Sequence, residues 1–182
     1  VENQQGQFGT LLAEHHRKSA SDQFGWGGNN FIGASIQKNT WSDNWASFFV
    51  EYRLGFQLVL LKQKGLGGNL VDVVNDVMGN VSDLLRHHQP TPVLVHGDLW
   101  YGNVAITNSS GATGVNGEDI PVCYDPAVYY ADREVDVAMT TLFGGFSERF
   151  YHAYNAAWPL DKGYGQRKNL YNLYHLLNHV NL

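Results

Sequence analysis

The stretch His96-Gly97-Asp98-Leu99-Trp100-Tyr101-Gly102-Asn103 decides how this sequence is read. It sits between two short runs rich in β-branched residues, 92–95 and 104–107, and a third run, 122–124, leads straight into Asp125-Pro126. Such runs, bounded by Pro, Gly and Asn, read as strands, and the polar, Gly-rich stretch 108–119 reads as a hairpin tip. Outward from these strands the period changes. Within residues 41–64, Trp45, Phe48, Phe49, Tyr52, Phe56, Val59 and Leu60 recur at steps of three and four, the spacing of one helix face, with Ser42 as N-cap and Gly65 as stop. Leu70, Val73, Val74, Val77, Val81, Leu84 and Leu85 repeat that spacing to about His87, and Pro90 and Pro92 end the helix. Residues 9–17, 134–143, 148–158 and 167–182 are helical by pattern, whereas the Gly-, Ser- and Asn-rich 19–30 is a loop. The expected class is α+β, mostly helical, with one minor sheet at its middle carrying the Asp98 loop.

Composition narrows the functions open to such a fold. Aromatic residues make up 13% of the 182, which excludes intrinsic disorder and supplies one sizeable core. No apolar stretch approaches the ~18 to 20 residues a bilayer demands. Twelve Lys plus Arg against seventeen Asp plus Glu give a formal charge of −5, and no basic block is present, so nucleic acid is excluded as the expected partner. A single cysteine, Cys123, cannot close an internal disulfide and no signal segment opens the chain, so a reducing cytoplasm is the expected compartment. Val1 in place of Met, and an apolar period that continues to Leu182, make a cut from a longer protein the expectation at both ends.

The chemistry follows from what Asp98, Asn103 and Asp125 can do together. Phosphoryl transfer from ATP needs one carboxylate to accept and orient the attacking hydroxyl, and separate oxygen ligands to hold the magnesium that bridges the phosphates. Protein kinases meet this need with an Asp and an Asn separated by four residues in a catalytic loop, followed by a metal-binding Asp at the end of a later strand. Asp98 and Asn103 have that separation, and Asp125 follows the third strand.

The whole segment resembles the catalytic loop of aminoglycoside phosphotransferase-like kinases, and more narrowly that of the fructosamine (ketosamine-3) kinase family. The narrower likeness is carried by Leu12-Ala13-Glu14-His15-His16-Arg17, by Asn30-Phe31-Ile32-Gly33 running into Gln37-Lys38-Asn39-Thr40-Trp41, and by the Asp98 loop itself. It continues in Tyr124-Asp125-Pro126-Ala127-Val128-Tyr129-Tyr130 with Arg133-Glu134-Val135-Asp136, and in Leu176-Leu177-Asn178-His179-Val180-Asn181-Leu182. The resemblance implies the C-terminal lobe of a protein-kinase-like phosphotransferase over residues 1–182, without the N-terminal lobe that supplies the phosphate-binding lysine. It implies ATP and Mg2+ as cofactors, and phosphorylation of the 3-hydroxyl of a free or protein-bound fructosamine, a step that removes glycation adducts. Asp98 then corresponds to the catalytic base, Asn103 and Asp125 to the magnesium ligands, and His96 and Asp136 to supports of the catalytic loop. Trp100, Tyr101, Gln37 and Asn39 correspond to the acceptor side, although Tyr101 stands where the pattern carries a small residue.

Other acceptors within the same superfamily, such as an aminoglycoside, choline or a sugar, stay open, as does a binding module without chemistry. Complete retention of Asp98, Asn103 and Asp125 argues against the last. Gly25-Trp26-Gly27-Gly28 and Gly65-Leu66-Gly67-Gly68 lack phosphate-loop spacing and read as turns. His175 and His179 stand four apart on one helix face without the Glu of a metalloprotease pattern, and read as structural. Cys123, between Val122 and Tyr124, reads as a small buried strand residue.

Overall fold

The computed structural model describes residues 2–107 and 120–182, so the expected hairpin tip at 108–119 lies outside the described residues. The chain opens with helix α1 (Glu2–Lys18), followed by a hairpin of β1 (Asn30–Ile32) and β2 (Ser35–Gln37). A long helix comes next, made of α2 (Trp45–Phe48), a π-helical segment (Phe49–Gly55) and α3 (Phe56–Gln63). Then come α4 (Asn69–Leu84), β3 (Val93–Val95), a 3₁₀ turn (Tyr101–Asn103), β4 (Val104–Ile106), β5 (Pro121–Cys123) and β6 (Tyr129–Ala131). Three helices close the chain, α5 (Glu134–Thr140), α6 (Glu148–Ala157) and α7 (Tyr164–Asn181).

The structure bears out a mostly helical α+β chain, with a different division of its strands. In place of one minor sheet there are three two-stranded antiparallel sheets among the described residues. β1 pairs with β2, β4 pairs with β5, and β3 pairs with β6 through Val93 opposite Ala131 and Val95 opposite Tyr129. The Asp98 loop therefore does not cap one hairpin; it crosses from the β3–β6 sheet to the β4–β5 sheet. A loop tied to a sheet at each end has little freedom to drift.

The long helix begins later than Ser42. Asn44 is its N-cap, with a side chain that accepts a hydrogen bond from the backbone of Ser47 at 2.8 Å, while Ser42 bridges back to Phe24. The π-helical segment, a wide-turn form frequent at functional positions, carries Arg53 into the interior, where it is fully buried. Its guanidinium lies 3.8 Å from the Tyr129 ring centroid and 4.7 Å from that of Phe48, and it donates to the carbonyl of Lys38 at 2.6 Å and to Asn39 Oδ1 at 2.8 Å. Ring faces and carbonyl oxygens together replace the water this charge would lose.

Two apolar clusters fill the molecule. The larger joins the long helix, α4, the β3–β6 sheet and α7 around Phe48, Phe49, Leu61, Val93 and Tyr171. The smaller joins α1 to α6 through Phe8, Leu12, Ala13, Phe150 and Tyr154, and also takes in Val137 of α5 and Leu99 of the Asp98 loop. α1 and α6 approach closely at Gly9, where a Cβ would stand 2.3 Å from the Phe150 carbonyl oxygen.

Candidate active site

The loop that carries Asp98 is held from below. Asp136, fully buried on α5, accepts hydrogen bonds from the backbone N–H of His96 at 2.8 Å and of Gly97 at 2.9 Å, and from His16 Nε2 at 3.1 Å. Burial alone would raise the pKa of this carboxyl, but the His16 hydrogen bond and the neighbouring donors hold it below the usual range. His16 is fixed in turn, for its Nδ1 meets the Tyr154 hydroxyl at 2.9 Å, and that hydroxyl receives a hydrogen bond from Arg133 at 3.2 Å. Burial pushes the His16 pKa down, in keeping with an imidazole that accepts at Nδ1 and donates at Nε2. Leu99, fully buried beside Val137, anchors the loop immediately after Asp98. Gly97 supplies a left-handed backbone, φ 80°, where a Cβ would stand 2.1 Å from the Ala127 carbonyl oxygen. His96 and Asp136, the expected supports of the loop, both bond to its backbone.

His96 also ties together the two segments that bear the carboxylates. Its Nε2 donates to the Tyr124 carbonyl at 3.0 Å, next to Asp125, while its Nδ1 receives the Asp98 backbone N–H at 3.3 Å. Asn103 Nδ2 donates to the Asp98 carbonyl at 2.9 Å, which leaves the amide oxygen as the atom on offer. Asp125 has φ 56°, the one positive value at a non-glycine residue among those described. A backbone held there against its preference marks a position whose geometry the surrounding structure enforces.

Asp98, Asn103 and Asp125 line one cleft of about 340 Å³, a size within the range of small-molecule sites. Trp100 lines it as well, its indole lying across Gly102, where a Cβ would come within 2.2 Å of the ring. Burial raises the Asp98 pKa, offset in part by nearby His96 and His179. The carboxylate is correspondingly more basic than that of a free Asp. Three oxygen-bearing side chains around one cleft match the ligand preference of magnesium.

The opposite wall is α7, which the motif spacing does not single out. His175, Asn178 and His179 all line the cleft. His175 Nδ1 lies 3.8 Å from Asp98 Oδ1, and burial pushes its pKa down to about 3, so it faces Asp98 as a neutral ring. The signal available in the sequence is the run of polar residues at steps of three along α7, Asn172, His175, Asn178 and Asn181, all buried, where a purely structural helix buries apolar residues.

Three expected acceptor-side residues lie elsewhere. Gln37 is buried and spends its amide internally, donating to Ala127 O at 3.0 Å and Asn30 Oδ1 at 2.9 Å and accepting from the Tyr174 hydroxyl at 2.9 Å. Asn39, also buried, donates to Asn30 Oδ1 at 2.8 Å and accepts from Arg53. Both pin the β1–β2 hairpin to the core instead of facing the cleft. Tyr101 points into a separate recess beside Phe8, Val104 and Phe146. Cys123 is exposed, not buried, because it closes a three-residue edge strand whose neighbours leave it open. Away from the cleft, His88, Glu134 and Asp161 present ligand-type atoms within 4.8 Å of one another. Arg167 already grips Glu134 with two 2.7 Å contacts there, so the group reads as an ion-pair network.

Comparison with known proteins places the chain. The fructosamine kinase family model matches residues 1–182. A Vibrio parahaemolyticus protein provisionally named a ketoamine kinase is 49% identical over 175 residues, 96% of this chain and 56% of its own length. The chloroplastic protein-ribulosamine 3-kinase of Arabidopsis thaliana is 39% identical over 98% of this chain and 52% of its own. The crystal structure of a provisionally named fructosamine-3-kinase from Thermobifida fusca superposes with a TM-score of 0.88 at 32% identity, covering all of this chain and 60% of that one. The chain spans about half the length of the curated relatives it matches. With a family model matched from end to end, this chain belongs to the fructosamine kinase family.

Proposed function

We propose that the full-length protein transfers the γ-phosphoryl group of ATP to a hydroxyl of a ketosamine, the 3-hydroxyl of a fructosamine adduct in particular. In this reading the chain supplies the C-terminal, catalytic lobe, and the remaining length seen in its relatives supplies the cover over the nucleotide. The observation that carries it is the convergence of Asp98, Asn103 and Asp125 on one cleft in a chain of this family. Asp98 accepts the proton of the acceptor hydroxyl as its oxygen bonds to phosphorus and ADP departs. Asn103 and Asp125 would hold Mg2+, which when bound neutralises charge on the phosphates. Asp136 keeps the loop backbone fixed throughout, so the base meets the hydroxyl without reorganising. Incubating the full-length protein with Mg-ATP and a fructosamine, and following the sugar phosphate by 31P NMR, tests the reading. A 3-phosphate is expected; phosphorylation of an aminoglycoside, choline or a plain sugar in its place would move the protein to another acceptor.

A further inference from the structure

Phe143 belongs to no motif in the sequence, yet the structure sets it at the mouth of the cleft. It leaves the end of α5, the helix whose Asp136 braces the catalytic loop, and its ring is half exposed. The ring centroid lies 6.0 Å from that of Trp100, edge to face, and 5.1 Å from that of His179. Gly144 and Gly145 follow with φ of 72° and 96°, turning the chain back so that the ring stays at the rim. This turn is supported from behind. A Cβ at Gly145 would stand 2.5 Å from the Tyr101 ring, Tyr101 packs edge-on against Phe146 at 5.7 Å, and Gln5 Nε2 donates to the Gly145 carbonyl at 3.2 Å. Tyr101 therefore acts at the site indirectly, as the backing of the Phe143 turn.

The cleft changes character from depth to mouth. Its inner part offers Asp98, Asn103, buried His175 and buried Asn178, groups that pair with sugar hydroxyls. One turn further along α7 stands exposed His179, and beyond it the rim is Trp100, Phe143 and Leu182, all exposed. With the reacting hydroxyl at Asp98, the sugar occupies the polar depth and the substituent on the ketoamine nitrogen extends past the rim. Resting on the ketosamine reading above, we infer that Phe143, against Trp100 and His179, is a specificity-determining residue that binds the nitrogen substituent and favours apolar or aromatic amines over ammonia as the amine half of the adduct.

The test uses the full-length enzyme and three ketosamines with the same sugar, formed from ammonia, from Nα-blocked lysine and from benzylamine. For Phe143→Ala the KM for the benzylamine adduct should rise about tenfold, with a smaller rise for the lysine adduct, while the ammonia adduct changes less than about twofold and kcat holds throughout. Phe143→Trp should restore the preference, which a merely structural role would not predict. An equal rise for all three adducts, or none for any, would overturn the inference while leaving the kinase reading standing. Absence of phosphorylation of all three by the wild type would overturn both.

Discussion

In the proposed reaction a single carboxylate, Asp98, carries the proton transfer, and its surroundings suit it to that role, since partial burial raises its basicity while Asn103 and His96 fix its loop. Asp98→Asn in the full-length enzyme should lower kcat by roughly 10²- to 10⁴-fold, the usual contribution of a positioned general base, with nucleotide affinity almost unchanged. A loss below about tenfold would remove Asp98 from the role. The same burial sets the acid limb of the pH profile. A base works only when deprotonated, so kcat/KM falls as pH drops through the Asp98 pKa, which lies above the ~3.9 of a free Asp. A limb at or below about pH 4 would show that burial does not govern this group. Asn103 and Asp125 should separate from Asp98 in kind. Asp125→Ala should raise the magnesium concentration needed for half-maximal rate, and more than Asn103→Ala does, because a full charge is lost where Asn103 gives a dipole. Identical magnesium titrations for both variants and the wild type would sink the assignment.

Elements decide whether those residues meet, and here local pattern reaches only part of the way. The helices are legible because long amphipathic periods outlast local exceptions, and α4 lies where Val71, Val74 and Val81 bury one face. Strands of three residues offer no such redundancy. β6 is a strand because β3 lies beside it, a partner some 36 positions away, and its Tyr129 is buried against Phe48 and Arg53 of the long helix; no local window contains either. The hairpin at 30–37 turns on Gly33 at φ 56° directly after the Gly-, Ser- and Asn-rich 19–30 that reads as loop. At the site, the convergence of Asp98, Asn103 and Asp125 is legible because the spacing of the proposed base and metal ligands is dictated by chemistry, whereas Gln37 and Asn39 mislead because an amide looks the same whether it faces a substrate or a buried Arg53. Gly97 is where element and residue join. Gly97→Ala would force a Cβ into the Ala127 carbonyl while demanding a left-handed backbone, so the variant should lose about 2 kcal/mol or more of stability and most of its activity. Urea denaturation reads the first and 31P NMR of the sugar phosphate formed by the full-length variant the second; a fully stable, active variant would mean that the β3–β4 crossing adapts where it is expected to be rigid.

Across the whole molecule, buried histidines make stability depend on pH in two opposing ways. Burial keeps His16 and His175 below the ordinary histidine pKa, so as pH falls below about 6.5 the unfolded chain takes up protons that the folded one refuses, and stability drops. His88 works in the other direction. Burial opposes its charge, but Nε2 meets Asp132 Oδ2 at 2.6 Å, Nδ1 meets Asp161 Oδ2 at 3.2 Å, and Glu134, itself gripped by Arg167, stands 3.8 Å away, so the net pKa is raised. With carboxylates facing both ring nitrogens, the doubly protonated ring is the form that fits. Its contribution is then fully present below the unfolded pKa of about 6.5 and is lost as pH rises through the folded value. His88→Gln should therefore destabilise the protein most near pH 6, by about 2 kcal/mol as expected for a hydrogen bond to a charged partner, and the gap from wild type should narrow by about pH 9. Asp161→Asn should change little at any pH, since the Asp161 carboxylate is largely exposed and such pairs are worth ~0–1 kcal/mol. Urea midpoints of wild type and both variants from about pH 5 to 9 measure this directly. A His88→Gln gap that stays flat or widens with rising pH would show that the ring sits between Asp132 and Asp161 uncharged, with the α4–β3 connection tied to α5 by shape instead of charge.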